Sequence, residues 1–428
     1  MEALKQNACS PLEVTSEGGG SRTQLATMRA VGDVSHALAR LLQKQGKTSV
    51  RELQAIDLHT HVYLPRYMDM LRTRKDVPFV RTLPGHDDER LIILPDEQKQ
   101  IDEARATATS ISAGRPIGGE YWDVNEKLRY MDHHGIQVSV LSLANPWLDF
   151  LPAKEQVLMA RLLNKDIQDI CSSSNGRFFA FGVIPQTLDD AIAELHHISE
   201  LKNVRGIILS TAGLGKGLDD PEMLAFYQTI EKLGLTIFLH PHYGVGNEHY
   251  HNYGHALFLA LGFTFETTVA VSQLILSGML DQVPNLKLLL AHSGGTLPFL
   301  AGRLDSCVAH DLAISKRLQH APSAYLKRFY YDAIAYHTPA LQCLIDFVGS
   351  DRIVFGTDNP FFPPEVEDSN KQGLNDFDWP STISNYEAMV DLNADIQRAI
   401  LRENAQQLLQ LPSPSCIHID HIMSHLIG

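Results

Sequence analysis

IDLHTHVYLP, residues 56–65, runs as a short strand and breaks off at a proline. Successive side chains of a strand alternate in direction, so His59 and His61 point to the same face. A lone strand histidine is commonly hydrogen-bonded within a core. Two on one face, at the C-terminal end of the strand, form a metal-ligand arrangement. An open doubly wound sheet usually carries a Gly-rich phosphate turn after its first strand. The continuation here, HTHVYLP, contains no glycine.

Working outward from this strand, β-rich runs alternate with amphipathic segments. The runs after it are QVSVLSLA from Gln137, FFAFGVI from Phe178, VRGIILS from Val204, LTIFLHP from Leu235, KLLLAHS from Lys287, FYYDAIA from Phe329 and RIVFGTD from Arg352. Helical patterns are predicted over 125–134, 153–172, 189–201, 221–233 and 268–278. Strands alternating with helices imply βαβ units and a parallel sheet. Eight such units predict an α/β protein of the (β/α)₈ TIM-barrel class, with one domain over 55–411. Long insertions follow the first strand (63–121) and the last (360–379), on the face where barrel enzymes place their chemistry. Residues 1–54 form an N-terminal extension, expected to be partly disordered or packed outside, with a short helix over 33–45. Residues 412–428 form a loose C-terminal tail.

The composition excludes several classes. The formal net charge is −14, and no Lys/Arg cluster is present to neutralise phosphates, so no nucleic-acid partner is expected. The longest apolar stretch, 256–263, is far short of the ~20 residues a membrane span needs, and residues 1–20 show no signal-peptide core. The five cysteines are scattered, with no CxxC pair. A disulfide framework is therefore not expected, and a reducing, cytoplasmic location is.

Ionisable residues recur where the interior strands of a barrel should be apolar. His240 ends the fifth run and Asp358 the eighth. A buried carboxylate is costly unless paired or metal-bound. His292, at the end of the sixth run and followed by Ser-Gly-Gly, is a fifth candidate. Asn145 falls just past the second strand. The histidines at 242, 249, 251 and 255 sit in a Gly/Asn/Tyr loop and are expected to form a solvated lid rather than a second metal site.

HTH, FLHPH, AHSGG and GTDNP at these strand ends resemble the amidohydrolase superfamily, in particular its branch of aminocarboxymuconate-semialdehyde decarboxylases. The resemblance runs from about residue 56 to 411. It implies one divalent metal, usually zinc, bound by His59, His61, His240 and Asp358, with His292 assisting catalysis and no organic cofactor. No lysine lies in the runs from Phe178 or Val204 to bridge a second metal. HVYLPRY, GRPIG from Gly114, SLANPWLDFL from Ser142, YGHALFLALGF from Tyr253 and AHSGGTLPFLAGR from Ala291 resemble isoorotate decarboxylases. That similarity implies removal of the 5-carboxylate of isoorotate to give uracil. Arg115 and Asn145 would then contact the substrate, and Phe263 and Phe361 would wall its ring. Arg303 resembles an arginine that reaches a neighbouring subunit's site, which implies a homodimer.

The chemistry is consistent with this reading. Loss of CO₂ from an sp² carbon leaves an unstable carbanion unless that carbon is protonated first. Asp358 is the expected acid, and His292 would orient the substrate or assist the proton transfer. The ligands suit Zn²⁺ and also Mn²⁺. Alternatives are a decarboxylase of a hydroxybenzoate- or salicylate-type acid or of aminocarboxymuconate semialdehyde, a mononuclear hydrolase of a lactone or amide, and a binding scaffold without activity.

Overall fold

The computed structural model describes residues 39–412, apart from 48, 84–86, 94–96, 100, 104–113, 251–252, 254 and 365–377. Eight strands form one parallel sheet: β1 (Ala55–Val62), β5 (Ile136–Leu143), β6 (Phe178–Gly182), β7 (Val204–Ser210), β8 (Thr236–His240), β9 (Lys287–Leu290), β10 (Tyr330–Asp332) and β11 (Ile353–Val354). The sheet curls back on itself. Leu58 N donates to Phe355 O at 3.0 Å, His61 N donates to Asn359 O at 2.8 Å, and Thr60 bridges Asn359 in parallel. The expected barrel is therefore present.

Parallel strands covered on both faces read as nearly unbroken apolar runs. FFAFG of β6 and TIFLH of β8 are buried along their whole length. Amphipathic helices cover the outside, including Val124–His133, Ala153–Ser172, Leu188–Glu200 and Met223–Leu233. The first opens on Asp123, whose side chain accepts from Asn125 N. The last closes on Gly234 at φ 70°, the left-handed C-terminal position that glycine occupies without strain.

The last two strands are much shorter than the runs that announced them. The chain leaves β11 after Val354, so Asp358 sits in the turn beyond it, at φ 59°. His292 likewise lies past β9, at φ 53°. The helix expected over 268–278 begins earlier. A π-helical turn, Phe258–Gly262, leads directly into Phe263–Leu276. Together they make a 19-residue helix that is long and apolar enough to cross a membrane by length and composition. The sequence expectation took the apolar stretch to end at 263 and was too short. The helix packs one side on the barrel through Thr267, Val271 and Leu274.

The first insertion is a structured arm. After helix Pro65–Thr73 comes a three-stranded antiparallel sheet of β2 (Phe79–Thr82), β3 (Glu89–Ile92) and β4 (Arg115–Pro116). A small core of Phe79, Leu83, Ile92 and Ile101 backs it. Most of the second insertion lies outside the described residues, as do the C-terminal tail and the N-terminal extension before 39. Residues 39–44 are helical, and Leu41 is fully buried. Arg40 meets Asp391 at 3.0 Å, so this part of the extension docks on the C-terminal helices.

Candidate active site

The two strand-1 histidines and His240 converge at the C-terminal mouth of the barrel. His59 Nε2 lies 3.0 Å from His61 Nε2 and 3.2 Å from Asp358 Oδ1, and His61 Nε2 lies 3.4 Å from the same oxygen. His59, His240, His292 and Asp358 each offer a ligand atom within 4.8 Å of the others. His292 Nε2 is 3.7 Å from Asp358 Oδ2. All five predicted residues therefore meet in one cluster, and His292 stands within it rather than behind it.

The hydrogen bonds around this cluster assign the imidazole tautomers. His59 Nδ1 donates to Asp332 Oδ2 at 2.6 Å. His240 Nδ1 donates to Pro241 O at 2.7 Å. Ser142 Oγ gives its proton to Thr60 O at 3.1 Å, so it accepts from His61 Nδ1 at 2.9 Å. Each outer nitrogen carries a proton, so each ring in its neutral form turns an Nε2 lone pair to the centre. His240 Nε2 and Asp358 Oδ1 are buried with no hydrogen-bond partner among the described residues. Acceptors turned toward acceptors repel, and a cation between them removes the conflict. Three imidazole nitrogens and one carboxylate form a donor set suited to zinc or manganese, and the outer partners are those that orient metal-binding histidines.

The ionisation pattern places one proton at this centre. Burial pushes His61 down to about 4, and burial with the neighbouring histidines holds His240 well below its ordinary value. Burial also opposes a charge on His59, but the Asp358 and Asp332 carboxylates outweigh it and push His59 up to about 10. Burial would raise the Asp358 carboxyl, yet contacts with His59, His292 and His61 hold it well below the carboxylate range. One proton thus occupies the cluster where a metal would compete for the same lone pairs.

The amidohydrolase family profile matches residues 56–411. The chain belongs to the amidohydrolase family. Within this family, the 2-amino-3-carboxymuconate-6-semialdehyde decarboxylase of Dictyostelium discoideum is 29% identical over 252 residues, 58% of this chain and 69% of that one. The crystal structure of Metarhizium anisopliae IDCase, an isoorotate decarboxylase, in apo form superposes with a TM-score of 0.79 at 39% identity, covering 86% of this chain and 100% of its own. A dihydroxybenzoic acid decarboxylase of Polaromonas sp., solved with bound manganese and the inhibitor 2-nitroresorcinol, shares the fold at a TM-score of 0.61 and 23% identity, covering 83% of this chain and 97% of its own. This amidohydrolase is an enzyme of the decarboxylase group.

In this amidohydrolase the predicted substrate contacts fall in two places. Arg115, Asn145 and Phe263 line one pocket, together with His242, Phe258, Leu91 and Ile93. Phe361 stands beside it, 5.3 Å from the His61 ring, with the Arg115 guanidinium 4.5 Å above its face. Arg115 Nη1 is buried without a partner among the described residues. Arg303 lies elsewhere, exposed in a groove with Thr268, Ser272, Leu300 and Leu304. The lid expectation is corrected for His242, which is only 8% exposed and packs on Trp147 at 5.4 Å. Burial and the Arg115 charge push its pKa down to about 4. His249 and His255 are exposed as expected, and His251 lies outside the described residues.

Several buried residues escaped sequence reasoning. Asp332, at the end of β10, accepts from His59 Nδ1 and from the backbone of His292 at 2.8 Å and Ser293 at 2.7 Å. It thereby holds two adjacent positive-φ residues in place. The signal was available, since FYYDAIA ends an apolar run on a carboxylate just as RIVFGTD does. Lys127 Nζ donates to Thr60 Oγ1 at 2.9 Å and to Asn359, tying β1 to the Asp358 turn. Glu266 accepts from His242 N, Gly244 N and Thr211 Oγ1. Nothing in the local pattern around Lys127 or Glu266 separates them from surface residues of amphipathic helices.

Proposed function

We propose that this protein is a metal-dependent, non-oxidative decarboxylase that removes the 5-carboxylate of isoorotate and leaves uracil. The observation that carries the reading is the set of three Nε2 atoms and one buried carboxylate facing a common centre, beside a pocket with an arginine whose Nη1 has no partner among the described residues. The likeness to an isoorotate decarboxylase over that protein's full length supports the substrate assignment.

A divalent ion held by His59, His61, His240 and Asp358 would supply positive charge to bind the carboxylate and a neighbouring ring oxygen and to polarise the ring. The remaining work falls to side chains of this chain. Arg115, desolvated against Phe361, attracts an anion into the pocket. Phe263 and Phe361 provide apolar walls for a flat ring and keep water from it. Asp358 and His292 stand side by side, 3.7 Å apart, and the proton that one of them carries goes to the carbon bearing the carboxylate. The C–CO₂ bond then breaks, its electron pair returns to the ring, CO₂ departs, and the pair regains a proton from solvent. We also propose a homodimer, because the helix face around Arg303 carries exposed apolar side chains.

The test is to load the purified protein with Zn²⁺ or Mn²⁺ and supply isoorotate and 2,6-dihydroxybenzoate in separate reactions. Equimolar CO₂ and uracil are expected from isoorotate, and a chelator should abolish both. CO₂ from the benzoate alone would overturn the substrate assignment. Solvent ¹⁸O entering the product, without CO₂, would identify a hydrolase instead.

A further inference from the structure

The pocket beside the metal ligands is lined by five polar side chains: Glu97, Arg115, Asn145, His242 and His255, of which His255 and Glu97 face each other at 3.5 Å. Arg115 brings the positive charge that an anion requires. His242 is the unexplained one. It is more than nine-tenths buried, and its Nδ1 has no hydrogen-bond partner among the described residues. A desolvated, unpaired ring nitrogen is destabilising unless a ligand completes it. It does not belong to the metal cluster, which consists of His59, His240, His292 and Asp358 together with the adjoining His61.

The surrounding structure holds His242 in place. The buried Glu266 carboxylate accepts its backbone N–H at 3.2 Å, and also binds Gly244 N and Thr211 Oγ1. Trp147 packs against the rings of both His240 and His242, at 6.0 and 5.4 Å, and Tyr243 lies 4.3 Å from the latter. The imidazole is thus fixed from the backbone side and from both flanks before any ligand enters.

We infer that His242 is the specificity-determining residue of this site, hydrogen-bonding the N–H and C=O edge of a pyrimidine ring and thereby selecting it over carbocyclic acids. The inference rests on the isoorotate reading above. A substrate whose carboxylate and adjacent oxygen face the metal ligands must turn another edge toward the pocket wall. In a pyrimidine that edge alternates N–H and C=O, which an imidazole nitrogen can meet. In a dihydroxybenzoate it carries only C–H, so His242 would stay desolvated and unpaired. A site built to pair a polar edge rejects the analogue that lacks it more strongly than an apolar pocket could.

His242→Phe keeps a flat ring against Trp147 and removes both nitrogens. With isoorotate, kcat/KM should fall roughly 10- to 100-fold, while with 2,6-dihydroxybenzoate it should hold or rise. His242→Gln, which restores an amide donor and acceptor, should recover much of the selectivity. Metal content and melting temperature should match the parent protein in both variants, and His242→Leu, which also lacks a hydrogen-bonding group, carries the test if the Phe variant does not fold. An unchanged ratio of the two kcat/KM values in the folded, metal-loaded Phe or Leu variant overturns the inference and leaves the isoorotate reading intact. Parent protein that leaves isoorotate untouched refutes that reading and the inference with it.

Discussion

His59 is gripped from both ends: Asp332 takes its Nδ1 proton and the cluster surrounds its Nε2. Such outer partners commonly contribute 10- to 100-fold to metal affinity or activity. Asp332→Asn should therefore weaken metal binding by about that factor, measured by competition with a chromophoric chelator, because an amide holds the imidazole less firmly and also loosens the His292–Ser293 backbone. Unchanged affinity would make Asp332 a purely structural carboxylate. Asp358 has a different role. Asp358→Asn should still bind substrate but lose turnover by ~10²–10⁴ for the missing acid, and more where the metal is also disturbed. With the parent enzyme in D₂O, deuterium should appear at the carbon that lost CO₂. Near-normal turnover in Asp358→Asn would transfer the acid role to His292.

At the scale of elements, the site depends on how strands end. The chain leaves β11 early and turns sharply so that Asp358 meets the β1 histidines. Asp358 N and Thr357 N both donate to His59 O, at 2.8 and 3.2 Å, and Thr357 Oγ1 donates to Asp57 at 2.7 Å. A non-glycine residue at φ 59° persists only where its surroundings over-determine it. Gly356 allows the close approach, because a Cβ there would lie 2.8 Å from the Cβ of His59 and 3.3 Å from that of Asp332. Gly356→Ala should therefore cost about 1–3 kcal/mol of stability in denaturant titration, and lower metal affinity too, since the displaced atoms belong to a ligand and its support. Loss of stability alone would mean that the barrel relaxes without moving His59. The strand and helix order was legible because apolar runs of the barrel alternate with amphipathic segments. The ends of β9 and β11 were not, since the residues that leave the strand are as apolar or as small as those that stay.

Across the whole molecule, the exposed helix face beside Arg303 is the feature that the barrel leaves unused. Phe299 is 83% exposed, with Phe265, Val269 and Leu261 also presented to solvent. Large apolar side chains left exposed near one another commonly mark an association site. Sedimentation at assay concentrations should give a dimer, and Phe299→Asp should shift it toward monomer. A fully active parent monomer would remove the role read for Arg303. The arm of β2 to β4 is the other large-scale device: it carries Arg115 from a remote insertion to the pocket, where it stacks on Phe361 of the opposite insertion.

The linear chain by itself determined the barrel and the five residues of the central cluster. Their spacing follows from strand periodicity, and polar groups at apolar strand ends stand out without any knowledge of their neighbours. Only the tertiary structure decided the tautomers, because Ser142 and Asp332 reach His61 and His59 from separate elements and the turn after β8 sets Pro241 O against the His240 ring. It also moved His242 from an expected solvated loop into the pocket wall, held by a glutamate 24 residues further along the chain. Hydrogen bonds between distant segments are fixed by how the elements pack around the barrel, and that packing leaves no mark in local sequence pattern.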